Sequence, residues 1–169
     1  MRKILSVCLV IAALFLVFGS ACSAAPGSIV PVQNFKAHLK AAAGGRAFEA
    51  ELICASYEDI SLNFTSPENI SGISIKTAQD AYAVDICGVS GSLPYTDLGD
   101  TALINVIIGS VKAFVFTNHG AFKRDMKSRN YSASLTVNGV PAEAEFSDAG
   151  RLLSLSSGDI GLRAEFSYE

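Results

Sequence analysis

Tryptophan is absent from these 169 residues, and histidine occurs only at His38 and His119. The first absence weighs only slightly against a sugar-stacking platform. The second removes most nucleophilic triads, because the base must sit beside a Ser or Cys and an acidic orienter. Two histidines 81 positions apart, one on a polar strand face and one in a loop, do not suggest that arrangement, and no G-x-S-x-G elbow occurs. The four cysteines have no metal-ligand spacing with one another or with histidine. Charge is sparse at 17%. The acidic pairs Glu49/Glu51 and Glu143/Glu145 alternate with apolar residues, which marks them as solvated strand faces. Expected, therefore, is a protein that is not an enzyme and uses no cofactor and no metal.

Long apolar runs are scarce too, and there are two. The first follows Arg2 and Lys3: Ile4–Phe18 is a mostly apolar stretch of 15 residues. That is short for a membrane span, which needs ~20 residues, and small residues follow at once, as in a secretion signal. Cys8 inside it reads as a small hydrophobe. Gly19-Ser20-Ala21-Cys22 resembles a bacterial lipobox, in which the cysteine thiol takes a diacylglyceryl group and becomes the first residue. The resemblance implies lipidation at Cys22 and a membrane anchor there. Ordinary secretion, with cleavage after Ala24 or Ala25, is the other reading. Residues 1–21 are thus a lipoprotein signal peptide and 22–34 a tether, small, Pro-containing and uncharged over Ser23–Asn34. Residues 35–169 form one domain, long enough for a single core and too short for two. Without Arg2 and Lys3 the chain carries 11 basic against 16 acidic side chains, a net of −5. A negative domain is a poor partner for nucleic acid.

The second run is Asp100–Phe116, and the rest of the domain is organised around it. On a helix, Leu103, Val106, Ile107, Ser110, Val111 and Phe114 share one face, while Asn105, Gly109 and Lys112 fall on the other. Asp100 or Thr101 can cap its first turn.

Around it the apolar period is two. Phe35–Ala42 fits both helix and strand, but Gly44-Gly45 and the alternating Phe48, Ala50, Leu52 and Cys54 favour a hairpin. Ile60/Leu62/Phe64, Ile73/Ile75 and Tyr82/Val84/Ile86 follow, with a turn at Ser66–Asn69. Gly88–Gly99 reads as a Gly/Ser/Pro loop. Beyond the helix lies the basic loop Thr117–Asn130, with Lys123, Arg124, Lys127 and Arg129, which could touch anionic headgroups and reads first as solvated. Then come Tyr131–Val137, the hairpin turn Asn138-Gly139, Ala142–Phe146, Leu153/Leu155 and Ile160–Tyr168. About nine antiparallel strands result, each with one apolar face, so the sheet is wet on one side only. The fold class expected is mainly β: a curved antiparallel half-barrel with one helix on its concave face. Cys54 and Cys87 are expected unpaired, at opposite edges of a simple meander.

The lipobox, the segment Phe64-Thr65-Ser66-Pro67-Glu68-Asn69-Ile70-Ser71-Gly72-Ile73 and the ending Gly161-Leu162-Arg163-Ala164-Glu165-Phe166 resemble small clostridial-type lipoproteins of Gram-positive anaerobes. Those are similar in turn to the Lol-type lipoprotein-carrier half-barrels. The resemblance implies an apolar cavity for acyl chains between sheet and helix, lined here by Leu103, Val106, Ile107, Val111 and Phe114. It does not bring the carriers' job with it, because a Gram-positive cell has no outer membrane to service. The expectation is an extracytoplasmic lipoprotein on the outer face of the bacterial cytoplasmic membrane, anchored through Cys22, or secreted if Cys22 is unmodified. It would bind a lipid or other apolar ligand. The alternative is a structural or interaction lipoprotein with a filled core and a protein partner.

Overall fold

The computed structural model describes residues 29–99, 102–117 and 122–168. Cys8, Cys22, the signal stretch, the two capping candidates Asp100 and Thr101, and His119 lie outside the described residues. The period-two segments become strands β1 (Phe35–Ala43), β2 (Arg46–Cys54), β3 (Ile60–Ser66), β4 (Ile73–Thr77), β5 (Ala81–Ile86) and β6 (Val89–Pro94). A short helix α1 (Tyr95–Leu98) leads to the central helix α2 (Leu103–Val111), which widens into a π-helical turn at Lys112–Thr117. The chain closes with β7 (Lys123–Arg124), β8 (Tyr131–Val137), β9 (Val140–Phe146), β10 (Leu152–Ser157) and β11 (Leu162–Ser167).

Among the described residues the strands number eleven, not nine, and all pair antiparallel in one open sheet of order β6-β5-β4-β3-β2-β1-β11-β10-β9-β8-β7. The two additions are the edge strands. β6 is Val-Ser-Gly-Ser-Leu-Pro, a loop-like composition that an edge tolerates because it bonds on one side only. β7 is two basic residues opposite Tyr131 and Ser132.

Two meanders, β1–β6 and β7–β11, join through the pairing of the first and last strands, Leu39 opposite Phe166 and Ala41 opposite Ala164. The expected edge position of Cys54 is therefore wrong. β2 is interior, and β1 leads from it into the second meander. Cys54 is a buried free thiol and Cys87 an exposed one, at opposite ends of the sheet because the chain reverses three times between them.

The sheet curls, and one residue proves it. Asn105 on α2 accepts a bond from the Tyr82 hydroxyl of β5 at 2.8 Å, while its backbone carbonyl meets the Asn138 amide at the end of β8 at 3.4 Å. In the sheet order β5 and β8 are eight places apart, ~38 Å on a flat sheet at ~4.8 Å per strand. One residue can reach both only if the sheet wraps round the helix.

The inward rows fill that concavity. Leu39, Ala50, Leu52, Ile60, Leu62 and Phe146 are completely buried. The competition at Phe35–Ala42 resolves as strand, with Phe35, Ala37, Leu39 and Ala41 facing in. Outward rows pair by charge, Lys36 with Glu51 at 2.6 Å and Lys40 with Glu49 at 3.3 Å.

The helix starts after Ala102 and departs from expectation in what it buries. Asn105, assigned to the solvent side, is buried, as is Ile108. An enclosing sheet covers more of a helix than the single stripe a period of 3.6 describes.

Candidate functional site

Leu62 of β3 faces the core and stands opposite Ile75 of β4. Side chains two apart share a face, so Ile73, Ile75 and Thr77 all lie on the helix side of the sheet. Register carries that face outward: Ile73 to Ile86 to Val89, Ile75 to Val84 to Gly91, Thr77 to Tyr82 to Leu93. The concave apolar surface thus runs past the helix to the β6 edge.

Cover falls away along it. Tyr82 is buried, Ile73, Ile75 and Val84 are half-buried, and Ile86 and Val89 are 52% and 73% exposed. An apolar cleft of about 300 Å³ lies along Val84, Ile86, Val89 and Leu93. The intervening turn is Cys87-Gly88, both at positive φ, the geometry a two-residue hairpin needs. Asp85 pins it, accepting from the Gly88 amide at 2.9 Å and the Ser90 hydroxyl at 2.8 Å. Those two bonds hold its carboxyl below the usual carboxylate range.

The inner end of the strip is polar. Tyr82 and Tyr95 meet edge to face, centroids 4.5 Å apart. Asn105 accepts from Tyr82 and donates to the Gly99 carbonyl at 2.7 Å, so the buried amide is satisfied. The Tyr95 hydroxyl donates to the Ala78 carbonyl. Burial, with Tyr95 adding to it, pushes the Tyr82 phenol up to about 12. A cleft of about 270 Å³ opens between these tyrosines and Asn105, Ile108, Gly109 and Lys112 of the helix.

The residues expected to line a ligand seat sit elsewhere. Val106, Ile107, Val111 and Phe114 are completely buried core, Leu103 is half-buried, and none of the five lines either cleft. The apolar hairpin was visible in part as the Tyr82/Val84/Ile86 alternation. Asn105 carried no signal beyond being a lone polar residue in an apolar run. Of the titratable candidates, His38 lies on the outer face, 3.2 Å from Glu49. Among the described residues no group of three or more His, Cys, Asp and Glu could hold a metal.

No family model matches the chain, and neither does any curated protein. Among solved structures it is similar to an uncharacterised conserved protein from Thermus thermophilus. That match has 11% identity and a TM-score of 0.47, over 79% of this chain and 77% of the other. It is also similar to a LolA superfamily protein from Nitrosomonas europaea, at 14% identity and a TM-score of 0.42, over 82% of this chain and 86% of the other. Likenesses this distant carry no argument about function, which rests here on the geometry above.

Proposed function

We propose that this protein is a membrane-anchored extracytoplasmic lipoprotein, acylated at Cys22, and a binding module for an apolar ligand such as an acyl chain rather than an enzyme. One observation carries the binding half: the concave apolar face continues beyond the helix onto β4–β6 and is left open at Ile86 and Val89. The seat is then the hairpin strip of Ile73, Ile75, Val84, Ile86, Val89 and Leu93, not the helix face. It measures ~13 Å along the strands by ~10 Å across them, room for a segment of one acyl chain. The anchoring half is supported by the charged, apolar and small-residue order of residues 1–22.

A titration with oleate or lysophosphatidylcholine below its micelle concentration tests the seat. Ligand at 100 times its dissociation constant stabilises by ~2.7 kcal/mol, several degrees of melting temperature in a domain of this size. Ile86→Asp and Val89→Asp alter exposed side chains and should abolish the shift while leaving a folded protein. The completely buried Val106, Ile107, Val111 and Phe114 favour the second reading, a filled-core interaction lipoprotein. It prevails if neither lipid shifts the wild-type melting curve.

A further inference from the structure

Tyr131 of β8, Phe146 of β9 and Leu152 of β10 are neighbours in register, so the β7–β8 loop and the β9–β10 turn lie side by side at one end of the sheet. Asn130 ties them, donating to Glu145 at 2.7 Å. The incoming chain is held at the same place. Val32 donates its amide to the Gly150 carbonyl at 2.9 Å, and the Val30 carbonyl occupies the space where a Cβ on Gly150 would stand. Gly150 has a φ of +76°, which glycine adopts without strain.

That end is basic. Lys123, Arg124, Lys127, Arg129 and Arg151 are all exposed, and none forms an ion pair with a described carboxylate. Arg124 lies over the Tyr131 ring and Arg151 over Tyr168. The acidic groups facing them are Asp125, Glu145 and Asp148. Asp125 is occupied by its own turn, accepting from the Lys127 amide at 2.9 Å and the Ser128 hydroxyl at 2.7 Å. Glu145 takes the Asn130 bond, and Asp148 is solvated. At the loop tip Met126 stands 74% exposed.

We infer that this end is the membrane-facing surface, on which Lys123, Arg124, Lys127 and Arg129 meet the anionic headgroups of the bilayer that holds the Cys22 anchor. The inference rests on the anchored reading for its orientation, since the tether enters the domain against the β9–β10 turn at that same end. The charge is of the right sign for anionic lipid, and Met126 supplies an apolar tip for the headgroup boundary. The open strip at Ile86 and Val89 lies at the sheet's opposite end, clear of the bilayer.

Vesicle co-sedimentation tests it on the processed chain, residues 22–169 with Cys22→Ala, which retains every described element and lacks the acyl group. Binding is expected to vesicles one-third phosphatidylglycerol, not to pure phosphatidylcholine, and should fall with salt. Lys123→Gln, Arg124→Gln, Lys127→Gln and Arg129→Gln should each lower partitioning about fivefold. Arg46→Gln with Arg163→Gln, which removes charge from the opposite end, should leave it unchanged. Equal binding to neutral vesicles, no loss in the loop variants, or an equal loss in the control pair overturns the inference. The mass of the wild-type N-terminus tests the anchor separately: an unmodified Cys22 would sink the lipoprotein reading and leave the vesicle result standing.

Discussion

Asn105 is the residue whose role the chain conceals and the fold requires. Its side chain ties the helix to β5 and to Gly99, and its carbonyl meets Asn138. Tyr82→Phe strips one partner from a buried amide oxygen, which should cost about 1–3 kcal/mol in urea unfolding. Tyr82 also sets an alkaline limit. Its phenol titrates near 10 when unfolded and at about 12 when folded, so the folded state retains the proton longer. The stability this contributes is complete below pH ~10 and is lost as pH rises from ~10 to ~12. Tyr168, also raised to about 12 by burial, acts in the same direction. Melting temperature followed across that window should fall, and less steeply in Tyr82→Phe. The thiols differ by environment: burial, then Asp59, pushes Cys54 up to about 11, while Cys87 is exposed in a hairpin turn. Iodoacetamide at pH 8 should alkylate Cys87 in the native protein and Cys54 only after denaturation. Peptide mapping reads both, and rapid native labelling of Cys54 would contradict the burial.

At the scale of elements, the strands announced themselves and the helix did so in part. Alternation of apolar and polar residues is a local consequence of one wet face, and it located nine of the eleven strands. The other two are edges, where bonding on one side relaxes the demand for β-forming residues, as Val89–Pro94 shows. Through Val111 the helix buries its expected face, Val106, Ile107, Ser110 and Val111, and Asn105 and Ile108 besides. The π-helical turn then shifts the phase, and the consecutive Phe114 and Val115 are both buried. Phe114→Ala should destabilise by about 3–5 kcal/mol and Val106→Ala by less. Removing Lys112, half-buried over the Tyr57 ring at 4.8 Å, should cost under ~1 kcal/mol. A chemical-denaturation series checks the ranking. A small effect at Phe114 would mean that the concave face is less filled than its burial indicates.

The whole molecule depends on a pairing that no local signal contains. β1 and β11 are the first and last strands and bond to each other near the middle of the sheet. Ending the chain after Gly161 would remove β11, uncover Ala41, which faces Ala164 across that pairing, and strip the bonded side of both β1 and β10. No cooperative thermal transition is expected from that truncation. Alternating patterns, tight turns at Asn138-Gly139 and one apolar helical run by themselves determined a mainly β fold around a central helix, because each depends on neighbours within a few residues. Only the tertiary structure decided the rest. Curling brought β5 and β8 to opposite sides of one asparagine and buried the helix on more than one face, which made its expected ligand residues core. The same curl left Ile86 and Val89 uncovered, because one helical element, Leu103–Val111 with its π-helical turn Lys112–Thr117 and ~20 Å long, is too short to shield a sheet of eleven strands. Burial is decided by what lies across the fold, and that distance is not written along the chain.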